Sequence, residues 1–229
     1  MNTQPILTRY LYDKCDVLDS WKRAIREGNR DEALFWTVEL YESGFESDMF
    51  AYIIRAYDPK QYPRLSKYVN ARMSEYATSP DPLCIVASIV ANFAHRPLST
   101  PGIRESPIYI QIRRRDIAPY CAESHADILL RKRLQYVCAY PVYRCPLETG
   151  RRNDAQCLGD WLYYAAHQTP LWQSRVAVYP SFRLNHTKQT ATFENDDELE
   201  DFYEKHGLEP DEQPVWASRI RGFFRCSGR

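Results

Sequence analysis

Apolar residues recur at three- and four-residue steps through much of the first hundred positions, the period of a helix with one buried face. Val17, Leu18, Trp21, Ala24 and Ile25 mark a first helix over Asp16–Arg26, and Gly28 follows where a helix end prefers glycine. Asn29, three residues before Glu32, carries the capping pattern of a second helix with Ala33, Leu34, Trp36, Val38, Leu40 and Tyr41, ending at Ser43-Gly44. The short turn between them predicts an antiparallel hairpin. Ser47 is the expected cap of a third helix through Met49, Phe50, Ile53, Ile54 and Tyr57, stopped at Asp58-Pro59. A fourth begins at Pro63 and runs through Leu65, Val69, Arg72, Met73 and Tyr76. A fifth follows the cap Asp81 and first-turn Pro82. Its stretch Leu83–Ala94 is apolar on nearly every face, interrupted by Ser88 and Asn92, which predicts a central helix wrapped by the other four.

The second half is less regular. Pro97, Pro101, Pro107 and Pro119 break the pattern, while Ile108, Ile110 and Ile112 alternate with Tyr109, Gln111 and Arg113 as in an extended segment. Helical spacing returns around Ile128, Leu129, Leu134 and Val137, again over Ala155–Ala166, and in a short acidic helix over Asp197–Lys205 with Gly207 as its stop. The expectation is a mainly α chain of seven or eight helices. It comprises a bundle over 1–98, a helical and loop-rich extension over 99–214 with room for one short strand or hairpin, and a basic aromatic tail over 215–229.

Composition adds that the 229-residue chain folds: 44% of it is apolar and 26% charged. A formal net charge of zero gives no long-range pull toward phosphate or anionic lipid. The charge is unevenly spread, with ten Arg and Lys against five acids over Arg104–Arg152, and ten acids with only Lys205 over Glu194–Glu212. These two segments are expected to attract one another. Seven cysteines at irregular spacing and no basic-then-apolar leader point to free thiols in the cytosol or nucleus. The longest apolar stretch is well short of the roughly twenty residues of a membrane span.

The block Trp21-Lys22-Arg23-Ala24-Ile25-Arg26-Glu27-Gly28-Asn29-Arg30-Asp31-Glu32-Ala33-Leu34-Phe35-Trp36, continued by Glu39-Leu40-Tyr41-Glu42-Ser43-Gly44, resembles the opening helices of the C-terminal helical domain of clamp-loader-like AAA+ ATPases. The resemblance extends more loosely to Ile89-Val90-Ala91 and Arg96-Pro97-Leu98. In that family the domain mediates subunit association and is fused to a nucleotide-binding core. No Gly-x-x-x-x-Gly-Lys-Ser/Thr loop occurs in this chain, so the resemblance implies association without ATP hydrolysis. Trp161-Leu162-Tyr163-Tyr164-Ala165, Pro170-Leu171-Trp172, Phe202-Tyr203-Glu204-Lys205 and Glu209-Pro210-Asp211-Glu212-Gln213 are similar to segments of uncharacterised proteins of large nucleocytoplasmic DNA viruses. That likeness implies a viral assembly component, within the host cell or packaged in the particle.

Candidate chemistry is sparse. Cys121 and His125 lie four apart with Cys138, Cys145 and Cys157 downstream, but no Cys-x-x-Cys or His-x-x-x-His occurs, and core cysteines are the better reading. No Gly-x-Ser-x-Gly is present, and the histidines, among them His95 and His167 at helix ends, suit capping. No catalytic residue, metal or cofactor is therefore expected. Arg113, Arg114, Arg115, Arg131, Lys132 and Arg133, with Arg151-Arg152 and the interleaved Tyr109, Tyr120, Tyr136 and Tyr143, form the candidate nucleic-acid surface. Protein interfaces enrich the same residue types. Trp36, Tyr41, Tyr163, Tyr164, Trp172, Trp216, Phe223 and Phe224 are candidate contact residues, with core packing the alternative for most of them. The strongest expectation falls on Trp172, Trp216, Phe223 and Phe224 as an interface with other proteins or a second copy. The sequence thus predicts a non-enzymatic interaction or scaffold protein, with a nucleic-acid-binding replication or transcription accessory factor as the alternative.

Overall fold

The computed structural model describes residues 6–9, 12–56, 62–96, 108–121 and 161–206. The protein is mainly helical: among the described residues there are nine helices and one two-stranded antiparallel sheet. They belong to two compact units. One is Asp16–Cys121; the other draws on Met1–Cys15 and Ala122–Arg229. The segment 108–121 thus belongs with the N-terminal helices, beyond the boundary expected at residue 98.

In the first of these units, α1 (Lys14–Glu27) buries Val17, Trp21, Ala24 and Ile25, the stripe its spacing predicts. Gly28 ends it at φ 78°, a left-handed conformation that glycine adopts without a Cβ penalty. α2 (Arg30–Glu42) starts at the cap Asn29, whose side chain accepts from the Glu32 amide. The Glu32 carboxylate returns to the Asn29 side-chain amide at 2.8 Å rather than to the backbone. Trp21 Nε1 donates to Thr37 Oγ1 at 2.9 Å and closes the α1–α2 hairpin with a buried hydrogen bond. α3 (Glu46–Ala56) begins one residue before the expected cap Ser47, because the carbonyl of Phe45 already accepts from Asp48 and Met49. α4 (Pro63–Tyr76) and α5 (Pro82–Ala94) start where their prolines predict, α5 behind the cap Asp81.

Every residue of α5 from Ile85 to Ala94 is buried, as its apolar sequence requires. α2 and α4 pack on it. α6 (Arg114–Cys121) packs on α2 and contains Pro119 without ending there. Leu34 and Val38 of α2, Leu83, Ala87 and Ala91 of α5, and Ile112, Ile117 and Cys121 form one buried cluster. Removing such side chains from water is the main source of stability for a helix too short to persist alone.

In the other unit, Leu7 bridges Asp13, and Leu7 and Thr8 meet the junction of α7 (Trp161–Gln168) and α8 (Pro170–Val176). Thr169 Oγ1 donates to the Leu7 carbonyl and Trp172 Nε1 to the Thr8 carbonyl at 3.4 Å. A hairpin follows, β1 (Phe182–Asn185) paired with β2 (Thr190–Phe193) in the register Phe182↔Phe193. The acidic α9 (Asp196–Lys205) starts at the cap Asn195. Its Phe202 packs with Trp172, Tyr179, Phe193 and His206 in an aromatic core.

Candidate functional site

The extended segment predicted around Ile108–Ile112 exists, but it joins no sheet. It lies on α5 and takes its hydrogen bonds from three side chains four residues apart, Ser88, Asn92 and Arg96, a spacing that aligns them on one helix face. Asn92 Nδ2 donates to the Ile110 carbonyl at 2.7 Å, and Asn92 Oδ1 accepts from the Ile110 amide at 3.0 Å. Ser88 Oγ accepts from the Ile112 amide at 2.9 Å. Arg96, 2% exposed, donates to the Ile108 carbonyl and, through Nη1, to the carbonyl and Oδ1 of Asn92. Helix side chains thus supply what a neighbouring strand would to the Ile108 carbonyl, both groups of Ile110 and the Ile112 amide.

Tyr68 of α4 supports this clamp. Its hydroxyl accepts from Asn92 Nδ2 at 3.2 Å, its ring stacks on Tyr109 at 4.4 Å and 13°, and the Arg96 guanidinium lies 5.1 Å from the Tyr109 ring. Burial pushes the Tyr68 pKa up, so the hydroxyl keeps its proton.

Because neighbouring residues of an extended chain point their backbone groups to opposite edges, the N–H and C=O of Tyr109 and Gln111 face away from α5. Neither residue's backbone has a hydrogen-bond partner among the described residues, and both residues are exposed. Gln111 also borders an open cavity of about 430 Å³ between the end of α4 and the start of α5, lined by Arg72, Glu75, Ser79, Cys84 and Arg113. Arg72 donates through Nη1 to Glu75 at 2.6 Å, while its buried Nε has no partner among the described residues. The Cys84 thiol is pushed up to about 12, by burial first and then by its hydrogen bond to Asp81. It remains a thiol at neutral pH and is no nucleophile.

Of the basic candidates, Arg114 lies 3.7 Å from Asp81 and Arg115 3.7 Å from Asp116. The Arg113 guanidinium has no ion pair among the described residues. Tyr109 stays 39% exposed, whereas Tyr120 packs edge-on against Phe35 and offers no stacking face. Arg131, Lys132, Arg133, Arg151, Arg152, Tyr136 and Tyr143 lie outside the described residues.

The aromatic expectations divide. Trp172 is fully buried, its ring among Phe202 and His206 and its N–H on Thr8, so it is a core side chain and not a contact residue. Trp36, Tyr163 and Tyr164 are likewise buried, while Tyr41 is half-buried with its hydroxyl 3.3 Å from that of Tyr76. Trp216, Phe223 and Phe224 lie outside the described residues. Three of the described acids of the late segment are used near their own helix: Glu198 accepts from the amide and hydroxyl of Ser181, Asp201 from Tyr179, and Glu194 pairs with Arg183 at 3.3 Å. His95 occupies the C-cap of α5, and the His167 ring stacks on Tyr163 and meets His186 at 5.1 Å.

No described helix is long and apolar enough to cross a membrane, and no group of three or more His, Cys, Asp or Glu among the described residues is placed to hold a metal ion. Comparison of the chain with family models, curated proteins and solved structures gives no match.

Proposed function

We propose that the protein is a non-enzymatic protein–protein interaction module whose contact surface in the Asp16–Cys121 unit is the exposed edge of the clamped segment 108–113. The observation that carries this reading is the one-sided clamp. Ser88, Asn92 and Arg96 satisfy the inner edge of an extended segment, while the outer groups of Tyr109 and Gln111 are left open beside a cavity. An extended segment fixed in advance is the template that strand-addition partners use, because its ordering cost is already met. The viral assembly setting rests on the sequence resemblance alone, and a homo-oligomer is one form the contact takes.

The test is site-specific photocrosslinking from position 111, with position 188 on the β-hairpin turn as control. A discrete adduct from 111 and none from 188 is expected, identified by mass spectrometry as a partner or a second copy. Absence of any adduct from 111 would overturn the reading. The nucleic-acid alternative is favoured by Arg113, which has no ion pair among the described residues. It requires DNA binding that weakens steeply with salt and disappears when Arg113, Arg114 and Arg115 are neutralised.

A further inference from the structure

Resting on the interaction reading, we propose that the outer edge of Tyr109–Gln111 and the adjoining cavity take an extended acidic segment of a partner protein, added as a strand with one carboxylate side chain reaching the Arg113 guanidinium. Three independent features converge on this class of ligand.

The first is the backbone. The exposed edge offers two N–H donors and two C=O acceptors in extended geometry, which match another extended chain and do not match a helix, whose backbone is internally bonded. The second is charge. The carboxylates at the cavity are already engaged, Glu75 by Arg72 Nη1 and Asp81 by the amide and thiol of Cys84 with Arg114 nearby. Among the described residues the exposed guanidinium of Arg113 has no partner, so the site has a cation left over and no free acid. A cation at the cavity wall gives an incoming carboxylate a charge-assisted hydrogen bond. The third is position. Gln111 belongs both to the open edge and to the cavity wall, so a chain paired with the edge can direct a side chain into the cavity. The stacked Tyr68–Tyr109 pair holds the other end of the edge rigid.

A nucleic acid strand would use Arg113 but cannot pair with the backbone edge. A basic or neutral peptide would pair with the edge but leave the Arg113 guanidinium without its partner. Both therefore serve as comparison arms.

The experiment measures binding of the full chain to a pool of synthetic nine-residue peptides with Glu or Asp at alternate positions between Thr and Val. Two further arms are the same pool with Lys in place of the acids and a single-stranded oligothymidine. Backbone amide exchange is read at Tyr109 and Gln111. The expected result is binding by the acidic pool alone and protection of both amides. Arg113→Ala, at an exposed and unpaired side chain, is expected to weaken binding several-fold without altering the fold. Equal binding of the Lys pool, insensitivity to Arg113→Ala, or unprotected Tyr109 and Gln111 amides would each overturn the proposal. If the adduct from position 111 still forms in those circumstances, the interaction reading stands and only the acidic partner falls; if no adduct forms, both fall.

Discussion

The side-chain amide of Asn92 both donates to and accepts from the backbone of Ile110, at 2.7 and 3.0 Å, with Ile110 eighteen residues further along the chain. Both lone pairs of Oδ1 are occupied, by Ile110 N–H and by Arg96 Nη1, and Nδ2 also reaches the Ser88 carbonyl at 2.8 Å. That full use fixes which way the amide points and makes the pairing specific to Asn.

Asn92→Leu fills a similar volume but leaves the amide of Ile110 without a partner and its carbonyl with only the long contact from the Tyr68 hydroxyl at 3.5 Å. Each buried unmade bond costs about 1–3 kcal/mol, so a loss of about 2–5 kcal/mol is expected on denaturant unfolding. Amide exchange should accelerate at Ile110 and Ile112 more than in α2, since the clamp is local. An Asn92→Leu protein as stable as the original, with Ile110 still protected, would show that the clamp is not what holds the segment.

The clamp also shows what was legible in the sequence. The helices of the first half were readable because their stripes and caps are local signals: Asn29, Asp81, Pro63 and Pro82 each sit where the structure uses them. The extended character of 108–112 was readable from alternation. Its partner was not, since alternation reports which faces are buried and not what supplies the hydrogen bonds. A signal did exist: Ser88 and Asn92 are the polar interruptions of an apolar helix, four apart, with Arg96 four further on. Polar residues at that spacing inside a buried helix imply a polar object against it. The β-hairpin of 182–193 was harder, because His186–Gln189 is a four-residue turn with positive φ carried by Gln189 rather than by glycine. Trp172 was misplaced because helical spacing cannot tell an aromatic facing its own core from one facing a partner.

Raised acid pKa values make the fold sensitive to alkali. The Cys84 thiol is pushed from about 9 up to about 12, and the Tyr179 hydroxyl from about 10 up to about 12, by burial first and then by hydrogen bonding to the Asp201 carboxylate. Each group holds its proton in the folded chain at a pH where the unfolded chain has released it. The unfolded state then binds fewer protons, so stability is full below about pH 9 and falls as pH rises toward about 12. Denaturant midpoints measured from pH 7 to 11 should decline over the upper half of that range. Mass-mapped alkylation at pH 8 should modify exposed Cys15 well before Cys84, and Asp81→Asn, which keeps a capping side chain, should speed Cys84. Equal rates at Cys15 and Cys84 would contradict the buried, hydrogen-bonded thiol.

Trp172 provides the last prediction, because its two readings give opposite results. As a contact residue its removal would weaken association and leave the fold intact. As a core residue it is fully buried, packs on Phe202 and His206, lies 4.6 Å from the Arg175 guanidinium and donates to the Thr8 carbonyl. Trp172→Ala should then cost about 3–5 kcal/mol, a large share of the stability of a unit this size. The effect should be confined to its own unit: amides of α7, α8 and α9 should lose exchange protection, while those of α2 and α5 keep theirs. Trp172→Phe retains most of the ring but abandons the Thr8 carbonyl, and a smaller loss of about 1–3 kcal/mol is expected. Unchanged protection of α8 and α9 in Trp172→Ala would return this residue to the surface.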